Sequence, residues 1–364
     1  MPIVDPRVTK MAEVLVNYSV KVQPGDRVMV RFGFLAQPLL YEVYRLLLEG
    51  GAAEVVFQPD LGEDDMVELF FKHSSKEQRS TLPKLYDHLI HNVDVFMILD
   101  APRNTRNLSK IDPDKQTEYY GTLRPITDWR VQHTRWIIGQ YPTEALAMDA
   151  GMSLSDFADF SFCAVNDVDW NAKQKEQQKL VEVLDATNRV RILGPETDLS
   201  MSIEGRTSKA ASGEVNMPDG EVFTSVVEDS TEGHIFYEFP AIHYGIAVND
   251  VRLEFKAGKV VKATSSNMEK ELTKILDTDD GSRFLGELGI GNNFAIKRFT
   301  SNILFDEKIG GTVHLALGKG YKDTLSENDS AIHWDMVKDL RTDGELYFDD
   351  KLVQKNGKWL IDLK

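Results

Sequence analysis

The feature that most restricts the fold of this sequence is an alternation of strand-like and helix-like segments in its first half. Residues 27–31 and 54–58 are short and rich in apolar and β-branched side chains. Between them, Pro38 opens a segment with leucine and valine at helical spacing, and Gly50-Gly51 ends it. This β-α-β order predicts two parallel strands joined by a right-handed crossover.

Two more apolar runs continue the pattern, at residues 93–99 and 135–139. Continuous apolar runs of this length, separated by helical segments, are typical of buried parallel strands. We therefore expect a doubly wound α/β domain, a fold whose sheet edge often holds a ligand. No G-x-G-x-x-G motif follows a strand here, so nucleotide binding is the less favoured alternative.

The pattern changes after residues 171–188, which form an amphipathic segment suited to a linking helix. Short alternating runs follow at 189–193 and 199–203, and they indicate a mostly antiparallel, β-rich region. The predicted fold is α/β, with a doubly wound parallel-sheet domain over residues 1–186. A β-rich α+β domain is expected over residues 187–364.

Charge and composition restrict the ligand class. The formal net charge is −16 and the pI is near 5.0, with no clustered basic residues, which weighs against nucleic acid and favours an amine-bearing ligand. The single cysteine, Cys163, cannot form an internal disulfide, which fits a reducing cytoplasm. No export signal and no apolar run of about eighteen residues is visible, so we expect a cytoplasmic protein that does not span a membrane.

The second half contains a row of side chains that bind divalent metals well. They are Glu287, Glu307, His314, Tyr321, His333 and Asp335. This mixture of carboxylate, imidazole and phenol donors suits Zn²⁺, Co²⁺ or Mn²⁺ better than Ca²⁺. His333 and Asp335 are two residues apart in a predicted strand, so both can reach one ion while Trp334 faces away.

Simpler interpretations exist for His314 and for a further acidic residue, Glu221. His314 lies in an apolar strand-like run, where a histidine is more often a hydrogen-bonded core residue than a ligand. Glu221 follows the turn sequence Pro-Asp-Gly and, taken alone, is more often a solvated turn acid. The glycines at 286, 289 and 291 do not have phosphate-loop spacing, and we interpret them as turns that let backbone approach a metal cluster.

A series of motifs supplies the missing context. In order they are NMPDGEVFT (216–224), VEDSTEG (227–233), GELGIG (286–291), DEKIGGTVHLALG (306–318), Tyr321 and IHWD (332–335). This series resembles the aminopeptidase T and aminopeptidase S family of dinuclear metal-dependent aminopeptidases, the thermophilic metalloprotease type of leucyl aminopeptidase. The resemblance covers the second half with specific motifs, and the first half only in general architecture.

The resemblance implies a role for each site residue. The implied metal ligands are Glu221, Glu287, Glu307, His314, His333 and Asp335, and Glu307 is the least securely aligned of them. The implied cofactor is a pair of divalent ions, Zn²⁺, Co²⁺ or Mn²⁺, with Mg²⁺ as a further candidate. A pair of ions needs a bridging carboxylate, for which Glu287 and Asp335 are the two candidates.

The implied reaction is hydrolysis by a water or hydroxide held between the two ions. Tyr321 would donate a hydrogen bond to the developing oxyanion, and Glu221 or Glu307 would pass a proton to the leaving amine. Tyr321 and Glu221 are thus the expected catalytic residues. A free α-amine on the substrate, held by a metal or an acid, would give exopeptidase selectivity.

The leading prediction is a cytoplasmic, metal-dependent aminopeptidase of broad specificity, acting on peptides with a free N-terminus and favouring apolar residues such as leucine. The resemblance also implies a homodimer. One alternative is another dinuclear amide hydrolase, such as a deacylase. The other is a catalytically silent metal- or peptide-binding protein on the same scaffold.

Overall fold

The structure is a computed structural model that describes residues 5–60, 65–243 and 245–363. Its helices are α1 (Pro6–Glu13), α2 (Gln37–Glu49), α3 (Asp65–His73), α4 (Lys76–Arg79), α5 (Lys84–Ile90), α6 (Pro113–His133), α7 (Glu144–Asp149), α8 (Leu154–Asn166), α9 (Trp170–Asp185), α10 (Glu269–Leu276) and α11 (Ile303–Asp306). No helix in these ranges is long and apolar enough to cross a membrane.

The strands of the first half are β1 (Arg27–Phe32), β2 (Glu54–Pro59), β3 (Val95–Asp100) and β4 (Arg135–Gln140). Those that follow are β5 (Arg189–Gly194), β6 (Thr197–Ser202), β7 (Lys209–Ala211), β8 (Asn216–Met217), β9 (Glu221–Thr224), β10 (Glu232–Tyr237), β11 (Ala241–His243), β12 (Ile246–Val248), β13 (Val251–Lys256), β14 (Lys259–Thr264), β15 (Leu285–Gly291), β16 (Thr312–Gly318), β17 (His333–Asp339), β18 (Glu345–Phe348), β19 (Lys351–Lys355) and β20 (Lys358–Trp359).

The chain divides into two compact units. One contains Met1–Asp167 with Gly213–Pro218, and the other contains Val168–Ser212 with Asp219–Lys364. Helix α9, which the sequence indicated as a linker, therefore belongs to the second unit. The division into functional domains near residue 186 stays a prediction.

The first unit is built on the predicted parallel sheet. Its strand order is β2-β1-β3-β4-β8, and β1 to β4 pair in parallel. On one face Phe96 of β3 packs with Ile90 of α5 and Ile126 of α6. On the other face Leu15 lies so close to Gly139 of β4 that a Cβ there would be 2.9 Å from it. Burial on both faces explains why the central strand β3 is a nearly continuous apolar run.

The second unit is β-rich, as the alternating runs indicated. Among its described residues, an eight-stranded sheet has the order β14-β13-β10-β6-β5-β18-β19-β20, and a five-stranded sheet has the order β17-β16-β15-β9-β7. Both sheets contribute to one hydrophobic core, for example through Ile192 of β5 and Leu315 of β16. The α/β fold class, with a parallel sheet followed by antiparallel sheets, is confirmed.

The five-stranded sheet separates apolar from polar side chains by strand alternation. In β16, Val313, Leu315 and Leu317 enter the core, as does Trp334 of β17. Residues directly opposite each other in an antiparallel sheet project to the same face. The register pairs Gly289 with His314, Ala316 with Asp335, and Gly291 with Glu221, so the second face carries the predicted ligands with small residues beside them.

The interpretation of the glycines in 286–291 as turns is wrong, because all of them lie in β15, a buried strand. What they provide is space. A Cβ added to Gly289 would lie 2.0 Å from Cε1 and Nε2 of the His314 imidazole, and one added to Gly286 would lie 2.3 Å from the carbonyl oxygen of Gly318. The side chains opposite β15 can therefore pass over its backbone only because these positions lack a Cβ.

Gly289→Ala is expected to lower the free energy of unfolding by about 1–3 kcal/mol, because the new methyl group overlaps the buried His314 ring. Chemical denaturation of the metal-free protein measures this change. Gly121→Ala is the control, since nothing lies within 4 Å of the added Cβ on helix α6. That variant should stay within about 1 kcal/mol of the unsubstituted protein. Equal effects at the two positions would contradict the steric argument.

Candidate metal centre

The side chains predicted as metal ligands meet on one face of the five-stranded sheet. Glu221 begins β9, Glu287 lies in β15, His314 in β16, and His333 and Asp335 lie in β17. These four strands are neighbours in the sheet, which is why residues more than a hundred positions apart come together. Glu307 reaches the same place from the C-terminal end of α11.

The ligands form two groups. Glu221, Glu307 and His314 make the first, and Glu287, His333 and Asp335 make the second. Within each group, the potential ligand atoms all lie within 4.8 Å of one another. His314 Nε2 is 3.2 Å from Glu221 Oε2 and also 3.2 Å from Glu287 Oε1, so the two groups adjoin at the Glu287–His314 contact.

A contact with a backbone carbonyl orients His333 for metal binding. Its Nδ1 lies 2.6 Å from the carbonyl oxygen of Lys319, and its Nε2 lies 3.4 Å from Asp335 Oδ2. A carbonyl can only accept, so Nδ1 carries the hydrogen. In the neutral ring, this leaves the Nε2 lone pair directed toward the carboxylates, the arrangement usual for metal-binding histidines.

Glu221 is fixed by helix α9. The amide of the buried Gln177 donates to the backbone oxygen of Glu221 at 3.0 Å. The sequence does not indicate this contact, because α9 was predicted only as a linking helix. Its helical spacing shows only that Gln177 shares the buried face with Leu180 and Leu184. This hydrogen bond holds Glu221, the first residue of β9, where its carboxylate contacts His314 of the first group.

Lys308 is the site residue that the sequence analysis missed. Its side chain is 0% exposed, its ammonium lies 3.3 Å from Glu221 Oε1, and it also contacts Glu307. Burial acts to lower the pKa of this ammonium, but the surrounding carboxylates outweigh burial and raise it, so Lys308 is charged. In the sequence, the only indication of a role for Lys308 is that it follows Glu307. A lysine next to an acidic residue usually forms a solvated ion pair with it.

The residues fit divalent cations. Within the described part of the chain, Glu287 Oε2 and Asp335 Oδ1 are buried and form no hydrogen bond, and neither does Glu221 Oε2, although it lies 3.2 Å from His314 Nε2. Buried carboxylate oxygens left unpaired are costly, and a cation bound between them would remove that cost. Carboxylates combined with imidazoles suit borderline divalent ions such as Zn²⁺, Co²⁺ and Mn²⁺.

Burial and the proximity of other charged groups shift the pKa values of the side chains in this centre. Burial raises the pKa of Glu221 to about 8 and also raises that of Glu287. Burial opposes protonation of the imidazoles, but Glu287 beside His314 raises its pKa to about 9, and Asp335 beside His333 raises its pKa to about 10. At neutral pH, a metal ion must therefore displace protons from these ligands.

Tyr321 lies at the rim of the cluster. Its ring centroid is 5.4 Å from that of His333 and 5.6 Å from that of Phe223, and the residue is 48% exposed. Desolvation and the nearby Glu287 carboxylate raise the pKa of the phenol, so it stays protonated and can donate a hydrogen bond. The structure thus brings Tyr321 beside the second group.

Comparison with known proteins agrees with this geometry. The family model for thermophilic metalloprotease (M29) matches residues 4–359. Aminopeptidase 2 of Geobacillus stearothermophilus is 25% identical, with 97% of this chain and 98% of the relative covered.

Two solved structures share the fold. Wild-type AmpT from Thermus thermophilus matches with a TM-score of 0.84 at 20% identity, over 98% of this chain and 99% of that one. A 2,5-dihydroxypyridine dioxygenase from Pseudomonas putida KT2440 matches with a TM-score of 0.63 at 13% identity, over 99% of each chain. Since a shared fold does not fix the chemistry, the family match decides. Because that match covers nearly the whole sequence, this chain belongs to the thermophilic metalloprotease (M29) family.

Proposed function

We propose that the two ligand groups bind one divalent ion each and form the active site for removal of N-terminal residues from peptides. The enzyme class follows from the family and from relatives named as aminopeptidases: the chain is a metal-dependent aminopeptidase. The observation that supports this site above any other is the pair of adjoining three-ligand groups with unpartnered, buried carboxylate oxygens.

In this proposal Glu221, Glu307 and His314 hold one ion, and Glu287, His333 and Asp335 hold the other. The contact between Glu287 and His314 favours Glu287 over Asp335 as the carboxylate shared between the ions, because Glu287 alone of the two lies within 3.2 Å of the first group's imidazole. Zn²⁺, Co²⁺ and Mn²⁺ are the proposed ions, and Mg²⁺ is the less favoured one given two imidazole ligands.

Bound divalent ions would supply Lewis acidity, which polarises a peptide carbonyl and makes water acidic enough to attack near neutral pH. The protein's own residues provide the remaining functions. The protonated phenol of Tyr321 donates a hydrogen bond to the oxyanion that develops on the carbonyl. Glu221, through a carboxylate oxygen that the ion does not engage, would take up the proton that the attacking water releases and pass it to the leaving amine. Glu307 is the alternative donor.

Selectivity for the chain end has an electrostatic basis in this proposal. A free α-amine would be held either by one of the ions, as the neutral amine, or by an acidic side chain, as the ammonium, and the net charge of −16 favours the approach of a cationic substrate. An internal peptide bond has no such amine. The proposed enzyme accepts many N-terminal side chains, with a preference for leucine. It is proposed to be a cytoplasmic homodimer.

The direct test of the function uses leucyl-p-nitroanilide and its N-acetylated form. Chelation should abolish release of nitroaniline from the free substrate, and added Zn²⁺, Co²⁺ or Mn²⁺ should restore it. Acetylation should reduce the rate at least about 100-fold, because it removes the free amine that an ion or an acidic side chain of the centre would hold. Equal cleavage of both substrates would favour another dinuclear amide hydrolase that needs no free amine, and cleavage of neither would favour a silent binding protein.

His333→Ala should remove about one ion per chain and reduce activity at least about 100-fold, because the second group loses its only imidazole. Metal analysis after equilibrium dialysis measures the first effect. His234→Ala is the matched control, since His234 lies exposed on β10 of the same unit and belongs to neither ligand group. Unchanged metal content in His333→Ala would remove this residue from the proposed site.

Tyr321→Phe should keep both ions and lower kcat by about 10²–10³, with little change in KM, because it removes only the donor to the oxyanion. Steady-state kinetics and metal analysis of the same preparation separate the two effects. Tyr347→Phe is the control, because that phenol donates to Glu345 on β18. A fully active Tyr321→Phe enzyme would show that the phenol has no part in turnover.

A further inference from the structure

The two ligand groups differ in one respect that the proposed reaction does not use. The first group contains the buried ammonium of Lys308, held between Glu221 and Glu307. In the described part of the chain, neither Glu287 nor Asp335 of the second group forms an ion pair with a lysine or arginine; their ion-pair partners are His314 and His333.

This difference changes the charge of each ligand set once a cation has displaced its protons. With both carboxylates ionised and the imidazole neutral, the first group and Lys308 together carry a formal charge of about −1, whereas the second group carries about −2. Because the Lys308 side chain is 0% exposed, its charge is poorly screened by solvent. A cation in the first group is therefore repelled by a fixed charge in direct contact with two of its ligands, whereas at the second group the same charge acts only at a distance, through Asp335.

Lys308 also restricts which carboxylate oxygens of the first group are available to bind an ion. Glu221 directs Oε1 to the Lys308 ammonium and Oε2 to His314, at 3.3 and 3.2 Å. Glu307 likewise uses Oε1 for Lys308. Each carboxylate of the first group is thus left with one oxygen for an ion, so neither can bind an ion through both oxygens while the lysine is in place.

We propose that Lys308 is a positioning residue that makes the Glu221–Glu307–His314 group the weaker of the two ion sites, so that the Glu287–His333–Asp335 group fills first. The inference rests on the proposed two-ion function. It adds an order of loading and assigns that order to one side chain. If Lys308 had only a structural role, neutralising Glu221 and Glu307, its removal would weaken ion binding. That is the opposite of the effect expected here.

Calorimetric titration of the metal-free enzyme with Mn²⁺ tests the inference directly. The unsubstituted protein should bind two ions, with dissociation constants at least about tenfold apart. Lys308→Gln keeps a hydrogen-bond donor but removes the charge, and should tighten the weaker step at least about tenfold and the tighter step by much less. Lys308→Arg keeps the charge and should keep the two steps separated. A weaker step that is unchanged or further weakened in Lys308→Gln would overturn the proposal.

Single-site variants assign the steps without any change at Lys308. Glu221→Gln should leave only the tight step, and His333→Ala should leave only the weak one. A tight step that survives in His333→Ala would overturn the order of loading even if Lys308→Gln did not fold.

Lys338→Gln is the matched control, because Lys338 is a second fully buried lysine of the same unit, paired with Glu238 instead of a ligand. It should leave the ratio of the two dissociation constants unchanged, and thermal unfolding of each variant confirms that it is folded. Failure of the unsubstituted protein to bind two ions would count against the proposed function. Binding of two ions with unaltered steps in Lys308→Gln would count only against the role of Lys308.

Discussion

The site depends on one constraint, the alternation of side chains along the strands of an antiparallel sheet. In β16 this places Val313, Leu315 and Leu317 in the core and His314 on the opposite face. The same alternation in β17 buries Trp334 in the core and directs His333 and Asp335 to the ligand face. The apolar half of each strand thus fixes the register, and a slip of one residue would bury the ligands in the hydrophobic core. Packing energy and ligand geometry are set by the same pairing.

The ligand face can hold charged groups only because its other positions are small. Gly289 and Gly291 of β15 lie opposite His314 and Glu221, and Ala316 of β16 lies opposite Asp335. Larger side chains there would separate the ligands or cover them. Burial of so many carboxylates is unfavourable in the absence of cations, and the raised pKa values of Glu221 and Glu287 express that cost. Lys308 offsets part of it in the first group, and bound ions would offset the rest.

The predictable part of this structure is its local part. Apolar runs and helical periods indicated β1 to β4 and the intervening α2, and the two-residue spacing of His333 and Asp335 placed both in one strand. The grouping of Glu221 and Glu307 with His314 could not be predicted, since it depends on which strands pair over long separations. Lys308 and the glycines of β15 were misjudged for the same reason: an ammonium becomes a buried partner, and a glycine becomes necessary, only when a distant strand lies against it.

The fold by itself does not determine the reaction, because a dioxygenase shares it at a TM-score of 0.63. What is particular to hydrolysis is the arrangement on the ligand face. In the proposed reaction, two adjoining ligand groups holding cations, with a protonated phenol beside one of them, would stabilise charge at two points of an acyl transfer, the carbonyl oxygen and the attacking water. If Lys308 holds the first group at lower affinity, that group is the one whose occupancy follows the supply of metal. The same sheet would then carry a permanent site and an exchangeable one, distinguished by a single buried charge.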